Sequence, residues 1–356
     1  MPYKSTALFE RPHISLVCSC ATRMWLISLY AAAAVVQSGL GDGGKSFHVA
    51  AAALSAALLS EFLVGLKTGR HTVLDGSAAA SALVLTLLLP NGTPPILAAA
   101  GASFAIIITK MIFGGLGANW LNPAVSGWLF IRFSWPAAFA AATADTPVSF
   151  LADRIVNRTA GEPGFTWEIL NQNGFFTGGN RLTQVFNDTV FSVFNMELPA
   201  GYLDFFAAPG PGIIGDRGIY ALLLGSVVII ALELSRFSVS ALYLAVYLML
   251  IRIAGAVPMG GQLWEGDVLF GLFSGGALVT ALLLLTDPAT GPKSVFGKMM
   301  FAVLAAFLSF FFRYVESEPY GAFFAVALLN TISPLVRAVE SRYIYKGRVE
   351  YGKHEN

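Results

Sequence analysis

The stretch Asp75-Gly-Ser-Ala-Ala-Ala-Ser-Ala-Leu-Val-Leu-Thr-Leu-Leu-Leu-Pro90-Asn91-Gly92-Thr93-Pro94-Pro95 carries no charge after its first residue. Asp75-Gly76 opens an apolar helix, and Pro90 closes it, because proline cannot continue the hydrogen-bond ladder. A span across a bilayer takes about 20 residues, and this run is shorter. A broken or re-entrant helix is tolerated at membrane depth only where its backbone is buried in protein or lines water.

Outward from this stretch, the same pattern fills the chain. Apolar runs occupy Met24–Leu40, Phe47–Leu66, Gly76–Pro90, Pro94–Phe113 and Asn122–Ala142, then Ile219–Leu234, Val239–Val257, Val268–Thr286, Val295–Phe312 and Tyr320–Val339. Hydrophobic residues make up 56% of the 356, charged residues 12%, and the mean hydropathy is +0.67. Soluble domains carry roughly 25% charged residues, so this chain cannot clothe a globular surface but can face lipid. The expected fold is an all-α polytopic membrane protein of about ten transmembrane helices. Its organisation reads as a leader (1–23), a five-helix half (24–142), an external segment (143–216), a second five-helix half (217–339) and a tail (340–356). With both termini cytoplasmic, fourteen Lys and Arg fall inside and seven outside, and Arg132 lies within a run. That excess satisfies the positive-inside rule. A net charge of +1 offers nothing for a nucleic-acid partner.

The two halves repeat weakly. In the first, Asp75-Gly76 opens a helix that ends at Pro90, another helix follows, and a Gly-rich corner leads to Asn122-Pro123. In the second, Gly266-Asp267 opens a helix that ends Leu-Leu-Thr286-Asp287-Pro288, and a later helix holds Asn330 and Pro334. Five spans in each half give the halves opposite orientation. Transporters use such inverted repeats to build a pathway near the midplane.

Few residues can carry chemistry. In Lys110-Met-Ile-Phe-Gly114-Gly115-Leu-Gly117-Ala-Asn-Trp-Leu-Asn122-Pro123-Ala124, the glycines permit a tight turn. Asn122 caps a helix whose first turn holds Pro123, and the free N–H groups there suit an anion, a flavin edge or an ion. Glu61 lies within an apolar run, where a charge is costly and marks a functional site by default. Asp75 and Asp267 lie near helix starts, where the dipole stabilises an acid. Asp287 either serves an ion path or caps a turn. Cys18-Ser19-Cys20 lacks further thiolates nearby, and no nucleophilic triad, zinc motif or dinucleotide fingerprint is present. Any redox chemistry therefore comes from a cofactor or a partner subunit.

Four passages carry a family resemblance: Arg11-Pro12-His13, Lys110 to Ala124, Pro211-Gly-Ile-Ile-Gly-Asp216, and Thr286-Asp287-Pro288 with Tyr320-Gly321, Leu329-Asn330 and Pro334-Leu335. In order and over nearly the whole chain, they resemble RnfD of the Rnf complex and its relative NqrB of the sodium-translocating NADH:quinone oxidoreductase. The short leader resembles RnfD more. The resemblance implies a subunit of an electron-transport complex in the bacterial inner membrane that moves Na⁺ or H⁺, with other such subunits as partners. It places Glu61 and Asp287 among membrane acids linked to ion movement. It also implies FMN esterified to a threonine of the external segment, but the aligned acceptor position here is Phe194, which has no hydroxyl. Thr183 and Thr189 are the nearby substitutes. Gly114, Gly115, Gly117 and Asn122 are the other candidate contacts, and non-covalent FMN is a further option. A cofactor-free channel or transporter on the same scaffold, or a structural subunit that has lost its flavin, are the alternative readings.

Overall fold

The structure is a computed structural model that describes residues 19–69, 72–144, 181–198, 212–232 and 237–353, with isolated positions between 146 and 155 and at 203. Arg11-Pro12-His13, Cys18, Glu233 and most of the external segment lie outside the described residues. Among the described residues the chain is helical, and its one bridge pairs Pro90 with Ile213.

The first half holds α1 (Cys20–Gly41), α2 (Lys45–Thr68), α3 (Ser77–Leu88), α4 (Pro95–Phe104), α5 (Pro123–Ser134) and α6 (Pro136–Thr143). A short α7 (Arg181–Thr189) lies in the external segment. Then come α8 (Ile214–Arg217), α9 (Ile219–Ala231), α10 (Phe237–Ala254), α11 (Val268–Phe273), α12 (Ala277–Val279), α13 (Val295–Phe310) and α14 (Gly321–Lys353). Five stretches are long and apolar enough to cross a membrane: Cys20–Gly41, Lys45–Thr68, Phe237–Met259, Val295–Val315 and Gly321–Arg342. Their surfaces display Leu40, Leu59, Phe296 and Phe307, which water would not favour and lipid does.

α3 sits at the centre. Every residue of it except Ser81 is buried, as an all-round apolar helix requires. Its twelve residues reach about 18 Å, short of a bilayer core of about 30 Å. α1, α2 and α5 surround it. At its far end Ile214 N–H donates to Leu89 O at 2.9 Å and Asn91 N–H to Gly212 O at 3.1 Å. These bonds satisfy backbone that proline and the helix end would otherwise leave unpaired. The chain that begins the second half is thus tied to the middle of the first.

Two of the expected continuous spans are broken. Asn122–Ala142 divides at Trp135-Pro136 into α5 and α6. Val268–Thr286 divides at Ser274-Gly275-Gly276: α11 stops at Phe273, and α12 restarts after Gly276 and continues as a π-helical turn, Thr280–Leu284. Gly276 (φ 74°), rather than Gly266-Asp267, is therefore the counterpart of Gly76 (φ 75°), since each is a left-handed glycine that starts a short buried helix. The sequence pairing missed this because Asp267 also starts a helix, capping α11 by accepting from Phe270 N–H at 2.9 Å.

Two long helices end in π-helical turns, α4 in Ala105–Met111 and α13 in Phe311–Val315. A π-turn widens the helix and rotates the side chains beyond it. Each of these turns holds one cation, Lys110 and Arg313.

Candidate functional site

α2 carries Glu61 into the bundle, where it is 0% exposed. Isolated there, a carboxylate would be prohibitively costly. The π-turn after α4, closed by Ile112 N–H donating to Ile107 O at 3.2 Å, brings in Lys110, which is 2% exposed. Lys110 Nζ lies 2.6 Å from Glu61 Oε1, and Thr72 Oγ1 donates to the same oxygen at 2.7 Å. Glu61 Oε2 is buried with no hydrogen-bond partner among the described residues. The ammonium also donates to Ser77 Oγ, which donates in turn to Asp75 Oδ1. Ser77 N–H donates to that same oxygen at 2.8 Å. Asp75 is half-buried, so a continuous polar file runs from the edge of the bundle to a fully buried carboxylate. It passes the N-terminus of α3, a place that favours negative charge.

A second network joins the halves. Asn122 Oδ1 accepts from Ala124 N–H at 3.0 Å and Val125 N–H at 3.4 Å, capping α5, and its Nδ2 donates to Asp287 Oδ2 at 3.1 Å. These roles fix the amide orientation. Thr290 Oγ1 donates to Asp287 Oδ2 at 3.2 Å, and Ala289 N–H donates to Oδ1 at 2.9 Å. Asp287 therefore both caps a turn and receives the first half's capping asparagine. Between the two networks, Thr109 Oγ1 lies 2.6 Å from Ser126 Oγ. Because Ser126 Oγ donates to Pro123 O, Thr109 is the donor. Thr109 neighbours Lys110, and Ser126 sits in the first turn of α5.

Toward the other end lies a group that the sequence did not single out. Arg313, 6% exposed, donates through Nη1 to Tyr247 OH at 3.1 Å and Ser274 O at 2.9 Å, and through Nη2 to Ser274 Oγ at 2.6 Å. Asp216 accepts from Gly275 N–H at 2.7 Å and Gly276 N–H at 3.0 Å. Lys110, Arg313 and Asp216 had one signal in the sequence, an ionisable residue within or bordering an apolar run. Nothing in the sequence showed which acid meets which base.

The expected flavin contacts do not converge. Gly114, Gly115 and Gly117 form a loop with φ of 114°, 100° and 84°, held by Gly115 N–H donating to Lys110 O at 3.0 Å. That loop follows Lys110 at the Ser77 end of α3, whereas the external segment rejoins the bundle at the Leu89 end. Thr183 and Thr189 lie on α7. Thr183 is 0% exposed and its hydroxyl accepts from Leu203 N–H at 2.9 Å. Thr189 is exposed and donates to Val185 O at 2.6 Å. The backbone of Phe194 closes a 3₁₀ turn, Phe191–Phe194. A phosphoester at Thr183 would need space that its burial denies, so the residues as a set do not fit an esterified flavin. Among the described residues no group of three His, Cys, Asp or Glu is placed to hold a metal ion.

Charge pairs held inside an apolar helical bundle define a multi-pass membrane protein organised around internal ionisable groups. The chain belongs to the NQR2, RnfD, RnfE family, whose model matches residues 8–346. It is similar to the RnfD-type component of the proton-translocating ferredoxin:NAD(+) oxidoreductase complex of Clostridium ljungdahlii, 27% identical over 326 residues that cover 91% of each chain. It is similar as well to the corresponding component of the Na(+)-translocating ferredoxin:NAD(+) oxidoreductase complex of Acetobacterium woodii, 26% identical over 94% of this chain and 93% of that one. Its counterpart in the ion-translocating oxidoreductase complex of Stutzerimonas stutzeri is 30% identical over 79% of this chain and 78% of its own.

Proposed function

We propose that this chain is a membrane subunit of an ion-translocating oxidoreductase complex of the Rnf type in the bacterial inner membrane, with the other subunits as its partners. We read it as ten spans in two inverted halves, both termini cytoplasmic. The paired features support inversion: left-handed Gly76 and Gly276 start short helices, and Lys110 and Arg313 stand in π-turns. α2 packs on α4 as α10 packs on α13.

The observation that carries an ion-moving role is Glu61, fully buried, neutralised by Lys110 and left with one oxygen unpartnered. A bundle that needed only packing would place an apolar residue there at lower cost. Asp75 would lead an ion in, and Asp287, joined to Asn122, would serve the same route across the junction of the halves; Asp267 is a helix cap. The names of the relatives in C. ljungdahlii and A. woodii specify different ions at nearly equal identity, so similarity does not choose between Na⁺ and H⁺. The expected result for Glu61→Gln is assembly of the complex with ion-coupled electron transfer slowed roughly tenfold or more. Transport at the original rate would overturn the role of Glu61.

A flavin-free chain is the second reading, favoured by Phe194 and by the burial of Thr183. Exposed Thr189 is then the one remaining attachment point among the candidates. Mass spectrometry of the denatured protein decides: an FMN-sized increment on a peptide holding Thr189 supports the covalent flavoprotein. An unmodified chain that releases FMN on denaturation supports a non-covalent one. Neither signal supports the flavin-free chain.

A further inference from the structure

We propose that Lys110 is a tethered counter-ion that a transported monovalent cation displaces from Glu61, so that the pair works as a cation-exchange gate. This rests on the ion-moving role proposed for Glu61 and deepens it. Three observations carry it. Lys110 Nζ touches Glu61 Oε1 and Ser77 Oγ together, so it already bridges a buried acid and a hydroxyl that belongs to Asp75. The ammonium can therefore pass from one carboxylate to the other through Ser77 without ever losing a partner. Glu61 Oε2 has no hydrogen-bond partner among the described residues and Oε1 has two, which leaves one oxygen of the buried carboxylate open to an incoming ion. The half-buried Asp75 stands at the outer end of the same file.

Charge balances at each stage. With no ion bound, Glu61 is neutralised by Lys110. When a cation reaches Glu61, Lys110 moves toward Ser77 and Asp75, which supply the second negative charge. Return of Lys110 to Glu61 expels the ion. A π-turn suits this, because its backbone carries the lysine on a locally loosened helix. Competition between two cations for one carboxylate is a coupling free energy, readable as a shift in apparent affinity.

The test is carbodiimide labelling of Glu61 in the full chain, read by peptide mass spectrometry while Na⁺ and pH are varied. In Lys110→Met the ion no longer competes with the ammonium. If the ion is Na⁺, the Na⁺ concentration that protects Glu61 should fall roughly tenfold. If it is a proton, Na⁺ has no effect and labelling should persist to higher pH than in the wild type. Lys110→Arg, with a bidentate fork on the carboxylate, should move the same midpoint in the opposite direction. That variant keeps the test valid if Lys110→Met is not produced. Glu61→Gln/Lys110→Met, which removes both charges, should be produced normally and show no labelling at position 61. Unshifted Na⁺ and pH midpoints in both single variants, in a complex whose transport Glu61→Gln abolishes, would overturn the gate while leaving the ion path standing. Absence of ion transport by the wild-type complex would overturn the proposed function itself.

Discussion

Removing one partner of the Lys110–Glu61 pair strands a charge in apolar surroundings, which costs about 3–5 kcal/mol. Removing both leaves neutral side chains of similar size, and the cost falls steeply. Lys110→Met alone should therefore lower the thermal midpoint of the purified protein, and adding Glu61→Gln should restore most of it. Equal midpoints for the single and double variants would show that the pair is not closed in the membrane. The same reasoning explains why Arg313 has so many partners. Desolvation of a buried guanidinium is offset only when its donors are met, and here Tyr247, Ser274 and Gly271 meet them.

At the scale of elements, the Gly-rich corner after Lys110 sets where α5 begins. Gly115 adopts φ 100°, and a Cβ there would meet nothing within 4 Å. Gly115→Val is thus opposed by backbone strain alone, about 1–3 kcal/mol. Because Gly115 N–H closes on Lys110 O, relieving that strain would disturb the lysine as well. Reduced yield or thermal midpoint is expected, with Gly115→Ala also impaired; wild-type behaviour in both would show that the turn adopts another conformation. Close approach matters elsewhere: a Cβ on Gly127 would lie 2.7 Å from Gly101 O, so α4 and α5 touch backbone to backbone at that point. Small residues at a helix crossing permit such contact in the absence of a hydrophobic driving force.

The whole molecule turns on which ends face which compartment. The topology proposed above puts Cys20, at the start of α1, inside and Thr189, on α7, outside. In a variant with Cys18 replaced by Ser, an impermeant maleimide should label Cys20 only in inverted vesicles. With Cys20 replaced as well, Thr189→Cys should be labelled only in right-side-out cells. Labelling of both from the same side would overturn the inverted arrangement. Tyr30 OH donates to Leu222 O at 2.7 Å, and Asn122 Nδ2 donates to Asp287. The halves are therefore joined both at their outer helices and at the candidate site.

Sequence alone determined the class. A chain with 12% charged residues and ten apolar runs has no low-energy state in water, and in lipid a helix is the lowest-energy way for each run to satisfy its backbone. Sequence also picked out Glu61, because a carboxylate in an apolar run is costly wherever the run folds, and it picked out the turn at Gly114, Gly115 and Gly117, because only glycine takes those φ values freely. Tertiary structure decided the rest. It broke the eighth run at Gly276, since Gly275 and Gly276 N–H groups could be satisfied by Asp216 from far along the chain. It assigned Lys110 to Glu61, Asn122 to Asp287 and Arg313 to Ser274, since pairing depends on where π-turns rotate a side chain. It also separated the Gly-rich corner from α7, which lie toward opposite ends of a central helix that the sequence showed only as another apolar run.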